Sequence, residues 1–232
     1  MAKEFAPERF FDLEGFEHRA LFDHVKNVWE ALGVKLKCYI RNVLKPGIYG
    51  EVMDGAFIDD ESLVYIGEDT IVEPGAYIKG PAIIGKNTQV RQGAYIRGDV
   101  IVGDRCVVGH TTEVKGAVML NGAQAGHFAY IGDSILGNHV NLGAGTKLAN
   151  LKMIKGNVIV RHNGKEIDTG LRKFGAIIGD YGELGCNSVT SPGTILGKNC
   201  IVYPCASIHG IFEENSIIKF RPAIEVTKRR SN

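Results

Sequence analysis

Aliphatic residues recur every six positions through the middle of the chain: Ile66, Val72, Ile78, Ile84, Val90, Ile96, Val102, Val108, Val114 and Leu120. Two residues before each lies a small or β-branched side chain: Val64, Thr70, Ala76, Ala82, Thr88, Ala94, Val100, Cys106, Thr112 and Val118. After an irregular stretch the register resumes at Ile178, Leu184, Thr190, Leu196, Val202 and Ile208. A helix repeats about every 3.6 residues and a strand about every 2, so neither makes this period alone. A coil with three short sides does. Each side is a brief strand whose aliphatic residue fills a narrow prism, the small residue sits where the wall leaves no room, and glycines such as Gly67, Gly85 and Gly103 suit the corners. Eighteen residues then make one turn, and turns stack by parallel pairing. The expected fold is all-β, a parallel β-helix of hexapeptide repeats that runs from 57 to 212.

Open ends of such a coil need covers. Residues 16 to 32 present Phe16, Leu21, Val25, Val28, Trp29 and Leu32 on one broad face with Gly33 behind them, which predicts an amphipathic helix packed on a neighbour or on the N-terminal end of the coil. Residues 1 to 56 are thus an N-terminal helical cap and linker, and 57 to 232 the β-helix domain. The basic tail KRRSN reads as a solvated end. Departures from the repeat mark working surfaces in solenoids. One is a local shift between Leu120 and Leu136. The other, residues 147 to 175, leaves the repeat altogether, and an alternating segment followed by Asn163-Gly164 predicts an inserted β-hairpin at about 151–173.

Polar residues gather at these departures: His127, Tyr130, Asn141, Asn150 and Lys173, with Arg97, Glu113 and Lys115 on preceding coils. Arg97 and Lys115 are eighteen apart and should lie one above the other, so the two cations need screening, and a substrate phosphate between them would supply it. Charge and composition narrow the partners. Lys plus Arg total 27 against 26 for Asp plus Glu, so the molecule carries no basic field for nucleic acid or anionic lipid. The five cysteines lack zinc spacing and no metal is expected; their odd number fits a reducing compartment. Cys106 and Cys200 fall in the small-residue stripe, and His18, His24, His139, His162 and His209 read as surface groups. Without a signal core or a membrane-length apolar run, the expectation is a cytoplasmic protein.

The run EVKGAVMLNGAQAGHFAYIGDSILGNHVNLGAGT, residues 113 to 146, resembles the acetyltransferase domain of the bacterial bifunctional glucosamine-1-phosphate acetyltransferase and N-acetylglucosamine-1-phosphate uridyltransferase. The segment NGKEIDTGLRKFGAIIGD is similar to the archaeal sugar-1-phosphate nucleotidylyltransferases with an amino-sugar acetyltransferase domain. The resemblance implies a left-handed helix, a homotrimer with sites between subunits, and acetyl-CoA as donor to an amino-sugar phosphate. By motif position it implies His127 as general base, Tyr130 and Asn141 as sugar contacts, and Arg97, Lys115 and Lys173 as phosphate contacts. It places Asn150 near the acetyl group, Cys186 in the lining of the coenzyme A site and Arg221 on a coenzyme A phosphate. Leu151 stands where the bacterial family has tyrosine, which alters the donor pocket, and residues 1 to 56 hold no glycine-rich nucleotide loop. A separate nucleotidylyltransferase would then act next.

The chemistry agrees with the motif. An amino sugar is an ammonium ion at neutral pH and attacks a thioester only after losing a proton, for which histidine is the suited acceptor. An acyltransferase on a nucleotide-linked amino sugar, and a non-catalytic trimeric scaffold, are the other two readings that the residues allow.

Overall fold

The computed structural model describes residues 4–228. Arg229, Arg230, Ser231 and Asn232, most of the basic tail, lie outside the described residues. Among those described, three parallel sheets of nine, nine and eight strands run side by side, and in each sheet every strand is hydrogen-bonded to the one three strands further along the chain, or five further where the two hairpin strands intervene. That order is a coil with three faces, the parallel β-helix that the repeat predicts. The first sheet opens with Gly47–Ile48 and the second closes with Ile217–Ile218, so coil pairing extends beyond the hexapeptide ladder at both ends.

The ladder does fill the prism. Val64, Ile66, Val72, Ile78, Ile84, Val90, Ile96, Val102, Val108 and Val114 belong to one buried cluster. In the small-residue stripe threonine hydroxyls replace missing bulk with hydrogen bonds: Thr70 Oγ1 donates to the Gly85 carbonyl, and Thr88 Oγ1 to that of Gly103. Cys106, next in that column, donates its thiol to the Leu120 carbonyl. Burial pushes the Cys106 thiol up to about 12, so it is inert as a nucleophile. Cys200 is buried too.

Leu120 is a correction. Ile101 pairs with Val118 and Val102 with Met119, a separation of 17, so this coil is one residue short. The ladder therefore slips between Val114 and Ala117: Ala117 and Met119 face the prism, while Val118 and Leu120 face outward. The next coil is again one short, with Val118 on Ile135. The second slip, between Ile131 and Leu136, falls in the local shift seen in the sequence; the first lies ahead of it.

The N-terminal segment is the second correction. Residues 16 to 32 form two 3-10 turns, Arg19–Phe22 and Val28–Ala31, and the α-helix follows at Val34–Val43. Gly33 does not stop a helix; at φ 62° it is the N-cap of one. The segment covers a side of the coil. Phe11, Phe16, Leu21, Val28, Trp29, Leu36 and Ile40 pack on the outward residues Ile83, Ile101, Val118, Ile135, Ile177 and Ile195 of the first sheet. Those six come from six successive coils of that sheet, so it is apolar on both faces and demands a cover. The cover is pinned by Asp180, 1% exposed, which accepts from the backbone N–H of Asp12 at 2.6 Å and of Asn138 at 2.7 Å.

The hairpin forms as expected, Ile159–His162 antiparallel to Lys165–Asp168. It is inserted within one coil, as the pairing of Ile135 with Ile177 shows. Val158 and Val160 join the same apolar layer as Trp29, and His162 Nε2 lies 2.7 Å from the Glu4 carboxylate. His162 and His18 are therefore half-buried and not free surface groups. Burial lowers the pKa of His18, whose Nδ1 meets the Tyr39 hydroxyl at 3.3 Å. No helix among the described residues is long and apolar enough to cross a membrane.

Candidate functional site

Parallel stacking turns residues distant in sequence into neighbours, and this happens most usefully on the edge where the second sheet turns into the third. Backbone bonds there run from coil to coil: Thr111 N–H to the Gln92 carbonyl, Phe128 to His110, Gly145 to His127, Asn187 to Ala144 and Cys205 to Cys186. The acceptors form a column in the order Gln92, His110, His127, Ala144, Cys186. With coils about 4.8 Å apart, Cys186 lies roughly 10 Å from His127, although 42 residues separate Ala144 from Cys186. His127 is exposed on this edge.

Beside the column on the second sheet lies a groove of about 400 Å³ lined by Asn141, Gly143, Glu183, Gly185, Cys186 and Tyr203, among others. Asn141 donates to the Glu183 carboxylate at 3.0 Å. Gly143 and Gly185 in the groove's lining let successive coils close, since a Cβ at Gly143 would press on the Cys186 backbone nitrogen at 2.6 Å and one at Gly185 on that of Pro204 at 2.5 Å.

On the third sheet, Arg97 and Lys115 do lie on adjacent strands in register. Their charges are met from within the chain. Arg97 Nη1 contacts Glu113 Oε1 at 2.5 Å, and Lys115 Nζ lies 3.7 Å from Asp133 Oδ2. Glu113 and Asp133 thus screen the stacked cations, and no bridging anion is required for the stack to form. Lys79 continues the same column one coil earlier.

Asp133 also accepts from Asn150 Nδ2, and Asn150 Oδ1 faces the Tyr130 hydroxyl at 3.4 Å. Asn150 is 8% exposed, so its amide is held in one orientation by these partners. Burial, then Glu113 and Asp133, raise the pKa of Tyr130, which keeps the phenol protonated and able to donate.

The sequence-derived residues thus fall into groups. Lys115, Tyr130 and Asn150 share one network; Asn141 and Cys186 share one groove; His127 stands on the edge between the two sheets. Lys173 is exposed, and its backbone bridges to half-exposed Leu151, beside Asn150. Arg221 is exposed beyond the last strand and does not line the groove. Asp133, His110, Glu183 and Tyr203 are additions by the structure. Asp133 lies 18 residues beyond Lys115, one past the register partner Gly132, and the others depend on coil length.

Fold and site define a hexapeptide-repeat β-helix protein with a polar working edge. Residues 78–218 match the family model described as the GMPPB C-terminal domain, and the chain belongs to that family. The bifunctional sugar-1-phosphate nucleotidylyltransferase/acetyltransferase of Sulfurisphaera tokodaii is 33% identical over 193 residues, 83% of this chain and 47% of that protein. The putative uncharacterized acetyltransferase YaiX of Escherichia coli K12 is 36% identical over 175 residues, 75% of each chain. Among solved structures, the UDP-N-acetylglucosamine acyltransferase of Francisella novicida aligns at 19% identity and TM-score 0.42, over 70% of this chain and 60% of that one. The chain spans about half the length, or less, of the bifunctional relatives it matches.

Proposed function

We propose that this protein transfers an acetyl group from acetyl-CoA to an amino-sugar phosphate such as glucosamine 1-phosphate, with His127 as general base. The observation that carries the reading is the edge column, which sets an exposed imidazole between an open groove and a network of Lys115, Tyr130 and Asn150. The groove takes the donor's extended arm so that its thioester reaches the His127 end. Tyr130 and Lys115 hold the sugar and its phosphate. His127 takes a proton from the amine as nitrogen attacks the carbonyl, and the thiolate leaves with a proton. Arg97, Asn141 and Lys173 complete the acceptor contacts, and Arg221, outside the groove, meets the phosphate end of the donor. The exposed apolar side chains Leu151, Met153 and Ile154, beside Asn150, suit a homotrimer in which a second copy covers this end of the site.

Free-thiol release measured with glucosamine 1-phosphate, other amino-sugar phosphates and nucleotide-linked amino sugars tests the reading. Stimulation by a sugar phosphate is expected. Stimulation only by nucleotide-linked sugars would move the acceptor assignment, and none at all would favour a scaffold. The donor groove has its own test. Alkylation followed by peptide mass spectrometry should label exposed Cys186, with acetyl-CoA slowing it, and should leave Cys106 untouched. Equal labelling of Cys186 with and without acetyl-CoA would remove the groove from the donor site.

A further inference from the structure

The transfer proposed above poses a proton count that one histidine does not meet in a single pass. An ammonium acceptor has three N–H bonds and the amide product has one. Two protons leave nitrogen: one ends on the sulfur of coenzyme A and the other goes to solvent, with no change in oxidation state. A single imidazole holds one of them at a time.

A second imidazole lies on the adjacent coil. His110 pairs in register with His127, at the ends of strands Val107–His110 and Gln124–His127. Its Nδ1 lies 3.1 Å from the Gln92 carbonyl oxygen. A carbonyl only accepts, so Nδ1 carries the hydrogen, and in the neutral ring Nε2 is left as a bare base. The same carbonyl stabilises the charged ring once Nε2 is protonated. The Phe128 ring stands edge-on to His110, 5.1 Å between centroids, and 6.4 Å from His127, so both imidazoles lie near one half-exposed aromatic.

The charged groups on the neighbouring coils leave Nε2 uncommitted. Arg91, one coil below, is held by Gln89 Oε1, and Glu73 accepts from the Gln92 backbone N–H. Lys147, above the pair, donates to the Gly145 carbonyl. Thr111 follows His110 with its backbone N–H on Gln92.

We propose that His110 is the second proton acceptor of this site, a positioning and relay residue that takes the solvent-bound proton through His127. This rests on the amine-acceptor reading. In the first step an ammonium N–H breaks and the proton passes by way of the His127 imidazole to His110 Nε2, and from there to water. His127, neutral again, takes the second proton as nitrogen attacks and delivers it to the departing sulfur. An acceptor that arrives already as free amine needs only the second step.

His110→Asn separates this role from a structural one, because its side-chain amide can still donate to the Gln92 carbonyl. In a pH profile of kcat/KM for glucosamine 1-phosphate, the variant should lose roughly 100-fold at about pH 6.5 and approach wild type at about pH 9, where the acceptor is free amine. A loss of equal size at every pH, or none, overturns the proposal while leaving the acetyltransferase reading intact. Wild-type enzyme inactive on every amine overturns both. Nitrogen NMR of the wild-type histidines gives a check without turnover: His110 should be the Nδ1–H tautomer, and the opposite tautomer would sink the relay.

Discussion

Replacing His127 by alanine is expected to lower kcat for acetyl transfer about 100- to 10,000-fold, the usual contribution of a positioned acid–base group. The side chain is exposed, with its ring 6.4 Å from that of Phe128, so the fold should not change. Coenzyme A binding should be retained, because the groove lined by Cys186, Tyr203 and Gly185 lies about two coils away. The expected signature is therefore a fall in kcat with a nearly constant KM for acetyl-CoA, and identical circular dichroism and thermal midpoint. A variant with full rate would remove His127 from the chemistry. One that loses rate only through a raised donor KM would make it a binding residue.

The second large effect is on stability. Trp29→Ala should destabilise the protein by about 3–5 kcal/mol, the range for deleting a large buried aromatic. Trp29 is 1% exposed; its ring centroid lies 5.0 Å from that of Phe5 and 6.2 Å from that of Phe174. It joins three parts of the chain: the N-terminal segment, the outer face of the first sheet and the root of the hairpin. Phe174 donates its backbone N–H to the Asn150 carbonyl, so loosening this layer also reaches the Asn150 end of the site. Urea unfolding read by far-ultraviolet circular dichroism measures the change, and a midpoint shift equivalent to under about 1 kcal/mol would show that the cover contributes little.

Much of the fold was legible because a hexapeptide ladder is local information. Each inward aliphatic residue answers to the strand it sits on, so Ile66 through Val114 could be assigned to the prism without knowing which coils touch. The hairpin was legible for the same reason, through Asn163-Gly164 and its alternating flanks. The 3-10 turns at 16 to 32 were not, since a broad apolar face spaced like a helix is also what irregular chain presents when it lies flat across an apolar sheet. That demand was itself written in the sequence, as an outward Ile or Val beside the inward one on every third side, from Ile83 to Ile195.

The site divides along the same line. From the sequence came the residue types, the eighteen-residue stacking of Arg97 on Lys115, and a motif naming His127, Tyr130, Asn141 and Asn150. Spacing alone did not give the partner of Lys115, because Asp133 sits one residue past the register neighbour Gly132 and meets the ammonium only through its side chain. It also could not bring Cys186 to the edge of His127, or single out His110, because the number of residues per coil sets every longer-range alignment. That number is 18, then 17, then 42 where the hairpin enters. Local side-chain chemistry thus determined the prism and most of its working groups, and only closure of each coil on the next decided which of those groups stand together.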